Sequence, residues 1–377
     1  LASENFVTTL HRGLSVVALC LLAACGAPTP IDPGTNLNTD GGAAHDAGSH
    51  DAGHHDGGTV HHDGGTTHHP DAGPSPTPDA GPSTTPDAGP STTPDAGTTT
   101  SGPSLQTVFV ILMENHNWSD IHNSSSAPYI ASLLLSGAHA ENYYNPPGNH
   151  PSEPNYLWLE AGTNFGILND KLPSINHQST TAHLVTQLDN AGIGWKSYQE
   201  DISGSDCPLV NSGNYAPKHN APVFFDDITN SNDPQAPACI AHVRPYSELA
   251  TDLAGTPARY NFITPNLCND MHNSCAPTSD KILQGDNWLS TEVPKIMASA
   301  AYQSGGVIFI TWDESEQGEF PIGLIVLSPF AKVNYSNMIS YTHSSLLRTN
   351  QEILGVRPFL GGAANATDLS DLFTTFP

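Results

Sequence analysis

Five short polar segments carry the residues able to do chemistry: Glu114-Asn115, His150-Pro-Ser152-Glu-Pro154-Asn155, Asp313-Glu314, Asn266 to His272, and Lys218-His219-Asn220 with the distant His343. A serine hydroxyl is a poor nucleophile at its free pKa and needs a base or a cation beside it. Ser152 stands between two prolines that fix φ on either side of it, which suits a rigid turn. Adjacent carboxylates such as Asp313 and Glu314 cannot both ionise in a partly buried pocket without compensation, and a bound cation supplies it. Glu114 offers a further hard oxygen ligand, and Asn115 an amide oxygen or donor. Lys218, His219 and His343 offer positive charge, hydrogen bonds or a transferable proton. Each segment alone also has an ordinary structural explanation: a cap, a turn or a solvated loop.

The elements around these segments place them at strand ends. Thr107–Met113 is a continuous apolar run that stops at Glu114, and Gly306–Trp312 is another that stops at Asp313. Both read as buried strands, whose carboxyl ends are where open α/β sheets carry their chemistry. Further strands are expected at Gly194–Tyr198, Tyr260–Ile263 and Ile322–Leu327. Helices are expected at Ala127–Ala138, Thr180–Asn190, Pro294–Gln303 and Ser345–Leu354, with Ser152 near the start of another that contains Tyr156-Leu-Trp-Leu. The alternation predicts an α/β domain, three layers deep, with a mostly parallel sheet covered by helices on both faces. The Pro- and Asn-rich stretches 204–237 and 264–288 are expected to be irregular and to shape the mouth of the site.

Composition divides the 377 residues near position 105. Residues 1–25 read as an export signal ending in Leu22-Ala-Ala-Cys25, a bacterial lipobox pattern, with a plain secretory signal as the alternative. Residues 26–104 repeat Asp-Ala-Gly every eight positions from Asp71 to Asp95, with no large apolar side chain to stack, so they read as a disordered tether. Residues 105–377 would be the catalytic domain, held at the cell envelope on the periplasmic or outer face and touching membrane only through the lipid. The tether's pairs His54-His55, His61-His62 and His68-His69 lack a fixed geometry for selective metal binding. Eleven Lys and Arg stand against 37 Asp and Glu, a formal charge of −26, so nucleic acid is excluded as a partner. Cys207, Cys239, Cys268 and Cys275 can form two disulfides in any of three pairings, nearest neighbours being the simplest, or hold a zinc ion.

In order and placement, these segments resemble the phosphoesterase family of bacterial and fungal acid phosphatases and phosphatidylcholine-type phospholipases C, within the alkaline-phosphatase-like superfamily. The resemblance covers 107–359 and rests on Val-Ile-Leu-Met-Glu114-Asn115, His150-Pro-Ser-Glu-Pro-Asn-Tyr156, Lys218-His-Asn220, Thr264-Pro-Asn-Leu-Cys-Asn-Asp-Met-His272, Thr311-Trp-Asp-Glu314 and His343-Ser-Ser-Leu-Leu-Arg348. It implies a divalent ion, or two, with Glu114, Asn115, Ser152, Asp313 and Glu314 as ligands and Ser152 also the nucleophile. Lys218, Asn269, Asp270 and His272 would hold the phosphate, His219 would assist, and His150 or His343 would protonate the leaving group. Asp270, His272 and His343 also look like relics of a second metal site. The expected reaction is hydrolysis of a phosphate monoester through phosphoserine. A phospholipase C or other phosphodiesterase is the alternative, and an inactive surface binding module the option outside catalysis. The substrate would be a small-molecule or lipid phosphate ester.

Overall fold

The computed structural model describes residues 104–377; the export segment and the tether's histidine pairs lie outside the described residues. Ten strands form two sheets: β1 (Thr107–Met113), β2 (Ala138–Ala140), β3 (Tyr143–Tyr144), β4 (Trp195–Gln199), β5 (Val243–Pro245), β6 (Tyr260–Thr264), β7 (Gly306–Trp312), β8 (Leu324–Leu327), β9 (Tyr335–Asn337) and β10 (Tyr341–Thr342). The large sheet has the order β5-β4-β6-β1-β7-β8-β2-β9, and β3 pairs with β10. Only β8 runs against its neighbours, so the sheet is largely parallel. Every side chain of the central strands β1 and β7 is buried. That is why both read as unbroken apolar runs rather than alternating ones.

Helices flank the sheet in the three-layer arrangement expected of an alkaline-phosphatase-like fold. Ser152–Ala161 packs on His343–Leu354, and Pro128–Ser136 packs on Lys281–Met297. The second pairing has a polar key. Asp286 accepts the backbone N–H groups of Tyr129 and Ile130 at 3.0 and 2.8 Å, satisfying donors that the first turn of a helix leaves unpaired.

The expected helix at Pro294–Gln303 is corrected. The helix runs from Lys281 to Met297 with Pro294 in its last turn, and a separate turn covers Ala300–Gln303. Asp280 caps its start by accepting Leu283 N–H at 3.0 Å, and Trp288, Leu289, Val293 and Ile296 give it a buried face. Part of 264–288 is therefore ordered helix rather than irregular rim. The strand expected at Ile322–Leu327 begins at Leu324, and the expected helix Ala127–Ala138 stops at Ser136, its last residues starting β2. The four described cysteines pair as nearest neighbours, Cys207–Cys239 and Cys268–Cys275, which removes the four-thiolate zinc alternative.

Candidate active site

Register brings the two acidic segments together. Met113 lies opposite Trp312 in the parallel β1–β7 pair, so Glu114 and Asp313 leave adjacent strands at the same height. Asn115 then turns the chain with φ of 50°, a left-handed conformation that asparagine adopts at little cost. The turn lets its backbone N–H donate to Asp313 Oδ1 at 2.9 Å. Its side-chain amide donates to Glu114 Oε2 at 3.2 Å.

Ser152 is the first residue of the helix Ser152–Ala161 and is buried. Its hydroxyl donates to Glu114 Oε2 at 3.2 Å and accepts from Lys218 Nζ at 3.4 Å. One turn further on the same face, as i and i+4 positions must be, Tyr156 donates its hydroxyl to Glu114 Oε1 at 2.6 Å. Asp170 ties the arrangement down, accepting Lys218 Nζ at 2.8 Å and Glu153 N–H at 3.0 Å.

A second wall comes from the loops after β4 and β6. The His219 ring stacks on Tyr156, centroids 5.1 Å apart. Its Nε2 lies 3.2 Å from Glu114 Oε2 and its Nδ1 lies 3.4 Å from Asp270 Oδ2. Glu114, His219 and His272 can each present one ligand atom within 4.8 Å of the others. Between Asp270 and His272, Met271 takes φ of 79°, a strained conformation for its residue type. On the third side, Glu314 Oε2 accepts from His150 Nδ1 at 2.5 Å, while His150 Nε2 lies 3.4 Å from Glu319 Oε1.

The electrostatics follow from crowding acids out of water. Burial raises the Glu114 and Asp270 carboxyls to about 7, despite Lys218 beside the first and His219 beside the second. Burial and the neighbouring Glu114 charge push Asp313 well above the usual carboxylate range. Burial and Asp313 lift Glu314 to about 8. Three buried atoms here have no hydrogen-bond partner: Asp313 Oδ2, Asp270 Oδ2 and His219 Nε2. Unpaired buried carboxylate oxygens and an imidazole nitrogen, gathered around the Glu114, His219 and His272 ligand atoms, are the donor types a divalent cation takes. The residues fit a metal ion.

The structure redistributes several expected roles. Glu114, Asn115, Ser152 and Asp313 meet as the sequence implied, and Lys218 reaches the serine. Glu314 belongs to the cluster but is paired to His150. His219 and His272, expected at the phosphate, also stand where ligands would. Asn269 does not turn toward Ser152: its amide donates to Glu200 at 2.8 Å and accepts from Gln284 at 3.2 Å. His343 is corrected as a proton donor. It is fully buried, its Nε2–H donates to the Asp313 carbonyl at 2.6 Å, and Tyr143 donates to its Nδ1 at 3.0 Å. Burial also holds it near pKa 4, so it braces the β7 end rather than delivering protons. Sequence reasoning missed Asp170, Glu200 and the hydroxyl of Tyr156. Tyr156 lay in plain view at the i+4 position from Ser152, whereas Asp170 and Glu200 carry no local signal.

The chain is similar to known proteins in sequence and in fold. The chain is 30% identical over 276 residues to a phosphatidylinositol-3-phosphatase of Mycobacterium tuberculosis, an alignment covering 72% of this chain and 84% of that protein. It is 27% identical to a probable acid phosphatase of Kluyveromyces lactis, covering 57% of this chain and about half (49%) of the yeast protein. A solved structure from Vibrio parahaemolyticus, described as a protein in the alkaline phosphatase superfamily, shares the fold with TM-score 0.50 at 9% identity, covering 71% of this chain and 72% of that one. The profile of the Phosphoesterase family matches residues 120–357. With that match spanning more than half of its length, this chain belongs to the Phosphoesterase family.

Proposed function

We propose that the chain hydrolyses phosphate esters by attack of Ser152 Oγ on phosphorus, with an amphiphilic ester as substrate. The observation that carries this is the placement of Ser152: a buried hydroxyl at a helix start, hydrogen-bonded to Glu114 and 3.4 Å from the Lys218 ammonium. Glu114, Asp313, His219 and His272, with Asp270 behind them, are the groups that would hold a divalent ion; when bound, it lowers the serine pKa and neutralises phosphate charge.

The chain's own groups do the rest. The Ser152 hydroxyl already points its proton at Glu114 Oε2. Lys218 places positive charge where the alkoxide forms and where the phosphoryl oxygens gather charge in the transition state. The first turn of the helix adds its dipole on the same side. As the Ser152 O–P bond forms, the ester O–P bond breaks and the leaving oxygen takes a proton. His150, about one-third exposed and anchored by Glu314, is the donor we assign. Water then attacks the phosphorus of phosphoserine, releasing phosphate from a monoester or a phosphomonoester from a diester, and a proton returns to Ser152.

Two features favour an amphiphilic leaving group over the small monoester of an acid phosphatase. A cavity of about 630 Å³ opens from Lys218 and His272 and is walled by Leu172, Ile175, Tyr215, Pro217 and Leu267. A second, of about 730 Å³, shares Tyr215 and Asn211 with it and adds Ile202, Leu209 and Val210. The name of the mycobacterial relative specifies a lipid phosphate. Both a lipid phosphomonoester and a phospholipid diester fit this reading. We further propose, from the lipobox at Cys25, that the enzyme is exported and anchored at the envelope, where such substrates lie.

The test is a comparison of p-nitrophenyl phosphate, bis(p-nitrophenyl) phosphate, phosphatidylinositol 3-phosphate and phosphatidylcholine, with and without chelator. Chelator-sensitive hydrolysis with kcat/KM at least about tenfold higher on a lipid is expected, a margin worth roughly 1.4 kcal/mol. Equal or better turnover of the small monoester would return the assignment to a soluble acid phosphatase substrate.

A further inference from the structure

Away from Ser152, two strands further along the sheet than β7, a second group of ligand-type side chains converges. His122 follows the short helix Trp118–Ile121, His139 is the central residue of β2, and Glu141 leaves the end of β2. These three can each present one ligand atom within 4.8 Å of the others. Glu141 Oε1 is 3.0 Å from His139 Nε2, and its Oε2 is 4.0 Å from His122 Nδ1. Ligand atoms around one tetrahedral ion are separated by roughly 3.3 Å, so side-chain adjustment of about an ångström would close this group on an ion.

Three observations separate this group from an ordinary surface ion pair. His139 is 8% exposed, so its imidazole is held almost entirely out of water with Nε2 turned to the Glu141 carboxylate. The carboxylate is aimed from behind: the Trp118 indole N–H donates to Glu141 Oε2 at 2.6 Å, the kind of support that fixes a metal-binding carboxylate. The Trp118 ring also stacks on His122, 4° from parallel at 5.3 Å, and so holds the second imidazole. A cavity of about 410 Å³ lined by Trp118, His122 and Phe320 opens beside the His122 ring.

We propose that His122, His139 and Glu141 form a second cation site, separate from the catalytic group, that takes one ion of the zinc class. Two imidazoles with one carboxylate favour such an ion over magnesium or calcium. Bound there, it would tie the helix Trp118–Ile121 to β2. Trp118 rests on Gly323, where any Cβ would lie 2.2 Å from the indole, and on Trp312, the residue before Asp313. The site thus braces this helix against the sheet and adds to stability without touching the catalytic group.

The experiment uses the full chain, loaded with Zn²⁺ alone, desalted and assayed for bound zinc per protein. The tether's histidines contribute equally to all variants, so the difference between variants is the readout. His122→Gln and Glu141→Gln should each lose one retained equivalent relative to wild type, keep the metal-free Tm, and lose most of the zinc-induced rise in Tm. Hydrolysis of p-nitrophenyl phosphate by either variant should remain at the wild-type level. Unchanged zinc stoichiometry in both variants would overturn the site.

Discussion

Among single residues, Lys218 does the most electrostatic work. Among the described residues it is the only Lys or Arg hydrogen-bonded to Ser152, and it lies among acids that burial has driven toward the neutral form. Desolvation opposes its charge, but Glu114 and Asp170 outweigh that and raise its pKa, so the ammonium persists across neutral pH. Lys218→Met should lower kcat/KM by about 100-fold, on the order of 2.7 kcal/mol of transition-state stabilisation, with little change in Tm; steady-state kinetics would check it. The residue scale was also where the sequence spoke most clearly. Acids that directly end the two most apolar strands are conspicuous, and so is a serine framed by prolines. His343 misled because a histidine opening a helix looks the same whether it faces solvent or a buried carbonyl. Asn269 misled likewise, since only folding decides whether an amide turns toward a site or toward Glu200.

Elements decide how firmly those residues are held. The loop carrying Asp270 and His272 rests on the helix Lys281–Met297 through a close approach: a Cβ at Gly285 would lie 2.4 Å from Met271 Cγ. Gly285→Ala therefore gains helix propensity but must displace Met271, and with it the residues on either side. The expected result is a net destabilisation of about 1–2 kcal/mol by denaturant unfolding, together with weaker metal retention, because an overpacking cost of about 2–3 kcal/mol outweighs the propensity gain of about 1 kcal/mol. A neutral or stabilised variant would show that the loop is not held this way. This helix was the least legible element. Gly285 and Pro294 interrupt its pattern, and proline is ordinarily a stop signal, whereas here it falls in the last turn. The central strands were read to the residue because both faces are buried and no alternation is needed to recognise them. The edge strands β5 and β9, and β2 beside β9, have only three residues each, too few for any period to register.

At the scale of the whole molecule, a buried ion network outside the catalytic group adds to the response to pH. His183 is fully buried between Glu160 and Asp227, with Nδ1 at 3.1 Å from the first and Nε2 at 3.0 Å from the second. Desolvation lowers its pKa, but the two acids prevail and lift it to about 9. A histidine that binds its proton more tightly when folded stabilises the fold fully below its unfolded pKa of about 6.5. That contribution is lost as pH rises from there through about 9, and it is on the order of 2–3 kcal/mol. Chelated wild-type protein should show a falling Tm over that interval, and His183→Phe should flatten the slope while starting from a lower Tm. A slope unchanged in His183→Phe would assign the effect elsewhere.

The central claim is that Ser152 carries the phosphoryl group. Its most direct test is kcat of Ser152→Ala, measured at matched metal content and Tm. A fall of about 10³-fold or more, at least roughly 4 kcal/mol of barrier, is the result expected if the serine oxygen makes the bond to phosphorus. Turnover within about tenfold of wild type would contradict it, because the attacking oxygen would then come from elsewhere.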